Sequence, residues 1–270
     1  MIDFEKAHES FIDSEENPYY VALERSRYVM SKLENAIANP FKIILLHAEP
    51  GLGKSYLLQQ FYEEHQKNIP LFLYKSPTFT DANALYQIYE YYYDKAPSKE
   101  IHQTELIELI EEKSKRPNII ILDEAQLYDN QTLEWIRLLS NRNDFAFIFA
   151  IHKVDNEHIL TRSHFQSRIF TSLTLEPLTL NETLFYLEKK FQLSDNYELY
   201  SYFTKRNLKR IFKYTKGNIR DINRLMYTLI AVLEIELNDS SEHISPFSFF
   251  SSKIKNRYID ASAFSLGKLS

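Results

Sequence analysis

The chain has 270 residues, a hydrophobic content of 44%, a charged content of 26% and a formal net charge of −5. This length allows one large domain or two small ones, and the negative charge excludes a surface that attracts nucleic acid over its whole extent, although a local basic patch remains compatible with it. The sequence contains no cysteine, which excludes disulfides, thiolate-bound zinc and a cysteine nucleophile.

The first segment, residues 1–16, is predicted to be an N-terminal extension. It begins MIDFEKAHES, which is acidic and mixed and therefore not typical of a signal peptide. The longest purely apolar stretch of the sequence, Phe145–Ile151, is far shorter than the ~20 residues that a membrane span needs. We therefore expect a cytoplasmic protein without a membrane span of its own.

Residues 17–176 are predicted to form an α/β domain, because continuous apolar runs alternate there with helical patterns. Strands that are apolar throughout and separated by helices are typical of a parallel sheet covered on both faces. We therefore predict five parallel strands flanked by helices. The predicted strands are Lys42–Leu46, Pro70–Tyr74, Asn118–Leu122, Phe145–Ile151 and Ser172–Leu175. The helices between them are predicted near Lys54–Gln66, Asn83–Tyr93, Gln103–Lys115 and Gln131–Ser140.

Residues 177–237 are predicted to form a small all-helical domain, because no strand pattern appears after Pro177. Its predicted helices are Asn181–Phe191, Lys205–Tyr214 and Arg220–Leu237. The last segment, residues 238–270, is rich in Ser and Phe and has weak periodicity. This pattern leaves two interpretations open, a partly ordered tail and a docking element.

A phosphate-binding pattern stands where the first strand meets the following helix. The run AEPGLGKS at Ala48–Ser55 matches the P-loop pattern with alanine in place of the first glycine. Glycines permit backbone conformations that a Cβ would block, and the N–H groups at a helix start favour an anion. Lys54 would reach the β- and γ-phosphates of ATP, and the Ser55 hydroxyl would coordinate Mg²⁺. The predicted nucleotide-binding residues are Ala48, Glu49, Pro50, Gly51, Leu52, Gly53, Lys54, Ser55 and Tyr56. The alternative is a chance match in a turn, but the strand before and the helix after are the context that the pattern requires.

Two carboxylates follow the third predicted strand. Asp123, directly after Leu122, would hold Mg²⁺ through water, as the second acidic element of P-loop enzymes does. Glu124 would then orient or deprotonate the attacking water and act as a catalytic residue beside Lys54. The alternative interpretation is a helix cap. The catalytic interpretation is favoured because the pair lies about 70 residues after the P-loop, which leaves room for two strand–helix connections.

Three motifs together resemble one family. Ala48–Ser55, Leu122–Gln126 (LDEAQ) and Leu138–Asn141 (LLSN) are similar to those of the AAA+ ATPases of the ExeA/GspA/MshM group, which are associated with type II secretion and pilus systems and have Orc/Cdc-like relatives. The resemblance covers roughly residues 17–233. It implies a P-loop sheet domain followed by a helical lid, and ATP hydrolysis with Mg²⁺. Better-known ExeA proteins continue into a membrane span and a peptidoglycan-binding region, and we expect neither here.

The resemblance implies four further site residues. His152 falls at the sensor 1 position, Arg168 matches the arginine finger and Arg220 matches sensor 2 of the lid, although Asn218 and Ile219 depart from the family pattern. Tyr20 falls in the segment that contacts adenine. A finger of this kind acts on the neighbouring subunit, which implies a homo-oligomer with assembly-dependent hydrolysis, and a guanidinium suits the charge of phosphoryl transfer. Considered singly, each arginine also fits an ordinary surface position, and His152 and Tyr20 also fit core positions.

Three functions stay open from the sequence. The first is an ATPase that drives assembly or remodelling of a secretion, pilus or DNA-uptake apparatus through its protein partners. The second is a nucleic-acid-remodelling ATPase, such as a transposition regulator or a replication initiator, whose DNA contact would be the basic helical stripe at residues 205–216. A solvated lid face explains the same stripe. The third is a nucleotide-binding switch with negligible turnover.

Overall fold

The computed structural model describes residues 2–14, 17–75, 81–97, 101–152, 167–239 and 254–268. These residues fall in two compact units. We call the unit of residues 25–50 and 54–175 the sheet unit. The unit of residues 1–24, 51–53 and 176–270 we call the helical unit. Among the helices of the described ranges, none combines the length and the apolar character that a bilayer span requires.

The sheet unit is built on five parallel strands in the order β2-β3-β4-β1-β5. The strands are β1 (Ile43–Ala48), β2 (Leu71–Tyr74), β3 (Asn118–Leu122), β4 (Phe145–His152) and β5 (Ile169–Leu175). Because all five run the same way, their carboxyl ends share one edge of the sheet. The predicted α/β fold class and the parallel five-stranded sheet are therefore confirmed.

The fifth strand begins at Ile169, three residues before the predicted start at Ser172. It is an edge strand, and its side chains alternate between half-buried and exposed positions up to Leu175. The prediction looked for a continuous apolar run, which marks strands buried on both faces. Such a run is present in β1 and β3, where every residue is buried, but not in β5.

The described residues of the sheet unit include five helices, together with a short 3-10 turn at Ala125–Leu127. They are α2 (Glu24–Ile37), α3 (Lys54–His65), α4 (Asp81–Tyr93), α5 (Gln103–Lys113) and α6 (Asn130–Leu139). Helix α2 was not predicted. Its buried residues Val29, Leu33 and Ala36 recur at helical spacing, but they are few among exposed polar residues, so the apolar stripe is narrow.

The helical unit has one core, and the chain's first described residues are part of it. Its helices within the described residues are α1 (Phe4–Ser10), α7 (Leu180–Leu193), α8 (Tyr197–Ser201), α9 (Lys205–Thr215), α10 (Ile219–Asp239) and α11 (Asn256–Ser265). Ala7 and Phe11 are buried in the same apolar cluster as Leu187 and Leu229. In this respect the compact units differ from the predicted segments, which separated residues 1–16 from the helical domain.

Part of the segment predicted as a tail forms a helix, α11. Helix α11 buries Tyr258, Ile259 and Ala263 in the core of the helical unit. Asp260 of α11 forms an ion pair with Arg210 of α9. The weak sequence periodicity missed this helix because only three or four of its residues face the core. Residues 240–253, also within the predicted tail, lie outside the described residues.

Candidate nucleotide-binding site

The loop of residues 49–53 joins β1 to α3 and contains two glycines in left-handed backbone conformations. The φ angles are +85° at Gly51 and +86° at Gly53, a region that residues with a Cβ rarely adopt. Within the helical unit, a Cβ on Gly51 would also lie 2.5 Å from Oδ1 of Asn218 and 2.8 Å from Cβ of Arg220. A side chain at Gly51 is therefore excluded on conformational and steric grounds.

The first residue of α3 brings a buried cation to the carboxyl end of β3. The side chain of Lys54 is 5% exposed, and its Nζ lies 4.0 Å from Oδ1 of Asp123 and 3.6 Å from Oε1 of Glu124. Asp123 is itself buried. Because the surroundings are poorly solvated, these charges interact more strongly than at the surface. The P-loop lysine and both predicted carboxylates therefore form one cluster in the sheet unit.

Glu124 has an unusual backbone conformation. Its φ of 50° and ψ of 41° place a residue with a full side chain in the left-handed region, which costs of order 1–3 kcal/mol and recurs at functional sites. The backbone N–H of Glu124 donates to Oδ1 of Asp123 at 2.9 Å. Despite this turn, both neighbouring carboxylates lie within 4.0 Å of the Lys54 ammonium.

Two side chains hold the Glu124 carboxylate in place. Nε2 of His152, the last residue of β4, lies 2.9 Å from Oε2 and 3.2 Å from Oε1. The amide of Gln126 donates to Oε2 from the following 3-10 turn. The strand register explains the position of His152, since β4 pairs with β1 so that His152 stands opposite Ala48 at the start of the P-loop. The predicted sensor residue is thus in contact with the predicted catalytic carboxylate.

The charges around Glu124 change its acidity. Burial raises the pKa of the Glu124 carboxyl, but the Lys54 ammonium, the hydrogen bond from Gln126 and the contact with His152 all lower it, and the net pKa is below the ordinary glutamate value. Glu124 is therefore ionised at neutral pH. An ionised carboxylate accepts hydrogen bonds, which is what orientation of a water molecule requires.

Two further predicted nucleotide-binding residues, Ser55 and Tyr56, lie at the start of α3. Ser55 and Tyr56 follow Lys54 in the first turn of α3, and both are half-buried. The Ser55 hydroxyl and the Asp123 carboxylate both offer oxygen ligands, the type that Mg²⁺ prefers. Burial, with a contribution from Glu63, raises the pKa of the Tyr56 phenol.

Arg168 lies at the opposite edge of the sheet from the P-loop. It directly precedes β5, and its carbonyl accepts a hydrogen bond from the N–H of Ile43, the first residue of β1. The P-loop follows Ala48 at the other end of β1. At ~3.3 Å per residue, the five steps from Ile43 to Ala48 separate these ends by about 17 Å. The structure therefore does not bring Arg168 to the cluster around Lys54 of its own chain.

Arg220 and Tyr20 belong to the helical unit. Nε of Arg220 donates to Oδ2 of Asp13 at 2.9 Å, and its backbone N–H donates to the carbonyl of Gly51, at 3.0 Å. Tyr20 is half-buried. Arg220, the predicted sensor 2 residue, is thus ion-paired with a carboxylate from the N-terminal segment.

Sequence reasoning missed three side chains that contact predicted site residues. Gln126 and Asn141 lie within the quoted LDEAQ and LLSN motifs, so a signal was present, although neither was assigned a role. Asp13 stands in a segment without any motif, and nothing in the sequence connects it to Arg220, 207 residues away.

A family model described as an AAA domain matches residues 40–160 of this chain, the range that contains Lys54, Asp123, Glu124 and His152. No curated protein sequence matches the chain.

Solved structures show the same fold at low sequence identity. The RuvB Holliday junction branch migration motor of Thermotoga maritima is 17% identical, with a TM-score of 0.57 over 91% of this chain and 70% of that one. Cdc6p from Pyrobaculum aerophilum is 15% identical, with a TM-score of 0.60 over 88% and 68%. The ORC1 protein of Aeropyrum pernix, solved in complex with DNA, is 13% identical, with a TM-score of 0.59 over 96% and 69%. The chain therefore has a P-loop AAA+ fold with a C-terminal helical region.

Proposed function

We propose that this protein binds ATP with Mg²⁺ at residues 48–56 and hydrolyses it. The observation that carries this proposal is the buried Lys54 ammonium, 3.6 Å from Glu124 and 4.0 Å from Asp123, beside a loop with two left-handed glycines. A cation next to main-chain donors at a helix start suits a triphosphate. The oxygens of Ser55 and Asp123 would hold Mg²⁺, which when bound supplies positive charge to the phosphate oxygens.

Glu124 and Lys54 would have different roles in hydrolysis. Glu124, ionised and held by His152 and Gln126, would accept a hydrogen bond from the attacking water and orient it. Lys54 would exchange its contact with the carboxylates for one with the β- and γ-phosphates. Because the two carboxylates repel a bare anion, binding of nucleotide would depend on Lys54 for compensation of charge.

The position of Arg168 supports hydrolysis by an assembly. Its backbone lies beside Ile43, about 17 Å along β1 from the P-loop edge of its own sheet, so a second copy of this chain would have to receive its guanidinium as the arginine finger. Arg220 would contact the nucleotide as sensor 2 once its ion pair with Asp13 is exchanged. The proposal is therefore a homo-oligomer whose turnover depends on contact between copies, and a cytoplasmic location belongs to it.

The work coupled to ATP has two candidates. The resemblance of the LDEAQ and LLSN motifs supports a role in assembly or remodelling of a secretion, pilus or DNA-uptake apparatus. The exposed basic side chains of α9 support remodelling of nucleic acid. The exposed members of this stripe are Lys205, Arg206, Lys209, Lys213 and Lys216. The similarity of fold to a Holliday junction branch migration motor and to a protein solved in complex with DNA is compatible with the second candidate.

Calorimetric titration with Mg-ATP, followed by turnover measured over a range of protein concentrations, tests the ATPase itself. We expect saturable binding and a specific activity that rises with protein concentration. Glu124→Gln should still bind ATP but turn over about 10²–10⁴-fold more slowly. Absence of binding to folded protein would refute the proposal. Specific activity that stays negligible and flat with concentration would favour a nucleotide switch instead.

Charge reversal on α9 separates the two candidate roles. We expect a nucleic-acid remodeller to bind DNA in a salt-dependent way, and Lys205→Glu/Lys209→Glu/Lys213→Glu to abolish that binding. The matched control is Lys67→Glu/Lys95→Glu/Lys115→Glu, which changes the net charge equally at three exposed positions of the sheet unit. Equal loss in both variants, or no DNA binding by the parent, would favour the apparatus-linked role.

A further inference from the structure

Asn141 and Arg168 form a hydrogen-bonded pair at the edge of the sheet where the strands begin. Oδ1 of Asn141 accepts from Nε of Arg168 at 3.1 Å and from Nη2 at 2.6 Å. One oxygen bound by two nitrogens of a rigid, planar guanidinium restrains both its position and the orientation of its plane. This contact therefore limits the side-chain freedom of an otherwise flexible arginine.

Both partners are attached to the core of the sheet unit through their backbones. The N–H of Asn141 donates to the carbonyl of Leu138 in the turn that ends α6, and the carbonyl of Arg168 accepts from Ile43 of β1. The next residue along, Arg142, forms an ion pair with Glu111 of α5 at 2.7 Å. The pair is thus held by the packed elements α5, α6 and β1.

Two large apolar side chains that are near the pair in sequence are exposed. Leu138, three residues before Asn141, is 53% exposed, and Phe170, two residues after Arg168, is also 53% exposed. Aromatic side chains such as Phe170, together with arginine, are enriched at protein–protein interfaces. Arg168 lies too far from the P-loop edge of the same sheet to contact a nucleotide bound in its own chain.

Given the ATPase function proposed above, on which this inference rests, we propose that Asn141 is a positioning residue. It orients the Arg168 guanidinium for the γ-phosphate bound to a second copy of the chain. Asn141 does not contact nucleotide. Its loss leaves the chain's own site around Lys54 and Glu124 intact and impairs only the Arg168 guanidinium that the chain supplies to the neighbouring copy.

Mixtures of two variants test whether one copy supplies Arg168 to the site of another. Arg168→Ala has an intact site but offers no finger, whereas Glu124→Gln offers a finger but has a disabled site. Mixed assemblies bring the Arg168 of one to the Glu124 of the other and should regain activity. Asn141→Ala should behave as Arg168→Ala does: it should regain activity with Glu124→Gln and regain none with Arg168→Ala.

Measured alone, Asn141→Ala should lose about 10²-fold in kcat, the effect expected of a misplaced catalytic group, with KM for ATP unchanged within about twofold. Asn141→Asp, which keeps an acceptor oxygen, should retain most of the activity. Asn143→Ala is the matched control, since Asn143 is exposed in the same turn and contacts Lys42 rather than Arg168, and it should turn over at the parent rate.

The outcomes separate this inference from the function on which it rests. If the parent protein does not hydrolyse ATP, the proposed function fails. If it does hydrolyse ATP, either of two results refutes the positioning role. The first is an Asn141→Ala variant that keeps the parent rate. The second is that Glu124→Gln restores activity to Arg168→Ala but not to Asn141→Ala. Failure of the Arg168→Ala and Glu124→Gln mixture to regain activity refutes the exchange of Arg168 between copies, and with it the role of Asn141.

Discussion

Nε2 of His152 lies 2.9 Å from Oε2 of Glu124, while Nζ of Lys54 lies 3.6 Å from Oε1 of the same carboxylate. The carboxylate is thus held from two sides by groups from different elements, the end of β4 and the start of α3. Both contacts favour its ionised form. In the proposed ATPase, a base this acidic serves orientation of water more than abstraction of its proton.

Replacement of His152 by alanine should lower kcat about tenfold to hundredfold, the range expected for a hydrogen bond to a charged group. The lost contact also lets the Glu124 pKa rise toward its ordinary value, so the acidic limb of the pH–rate profile should move to higher pH. His152→Gln keeps a donor and should retain more activity. His102→Ala, at an exposed helix start without a side-chain cap bond, is the control. An unchanged profile in His152→Ala would exclude the contact from catalysis.

Lys54→Ala should abolish ATP binding in calorimetric titration. It should also lower the free energy of unfolding by about 1–3 kcal/mol, because buried Asp123 loses the neighbouring ammonium that compensates its charge. Urea denaturation measures this cost. Lys67→Ala, at an exposed position after α3, should change neither quantity. Unaltered nucleotide affinity in Lys54→Ala would show that the proposed site is wrong.

Asp13→Asn should raise the affinity for Mg-ATP about twofold to fivefold. The ion pair between Asp13 and Arg220 is half-exposed, and such pairs contribute about 0.2–1 kcal/mol. If Arg220 is sensor 2, nucleotide binding must break this pair and therefore loses that free energy. The same substitution made in an Arg220→Ala background should have no effect on affinity. An equal gain in both backgrounds would mean that Asp13 acts on binding without Arg220.

Lys190 should make stability depend on pH. It is buried in the helical unit and donates to the carbonyl of Ser10 at 2.7 Å, and burial lowers its pKa from 10.5 to about 8. Between these values the unfolded chain binds a proton that the folded protein does not, so the free energy of unfolding rises with pH there, by about 3 kcal/mol in total. Below pH 8 both states are protonated and the penalty is constant.

The matched variant for this effect is Lys190→Met, which keeps the apolar stem and removes the titrating group. Urea denaturation at several values between pH 7.5 and 9.5 should show a steeper increase for the parent than for the variant. Parallel curves would mean that the ammonium is not desolvated in the folded protein.

Local patterns were enough to predict most of the sheet unit. Uniformly apolar strands, the glycines of the P-loop and the paired carboxylates after Leu122 each act within about ten residues of sequence. The elements that were missed, α1, α2, α8 and α11, are short or have narrow apolar faces, and their burial comes from distant partners. Ala7 and Tyr258, for example, lie in the same core cluster, a relationship that no local window contains.

The sequence by itself therefore determined the fold class and the cluster of Lys54, Asp123 and Glu124, because parallel strands place their carboxyl-end loops at one edge of a sheet. Tertiary structure decided which side chains restrain these groups. Contacts of His152 with Glu124, Asn141 with Arg168 and Asp13 with Arg220 depend on strand register and helix packing. Those follow from burial of the whole core rather than from any local pattern.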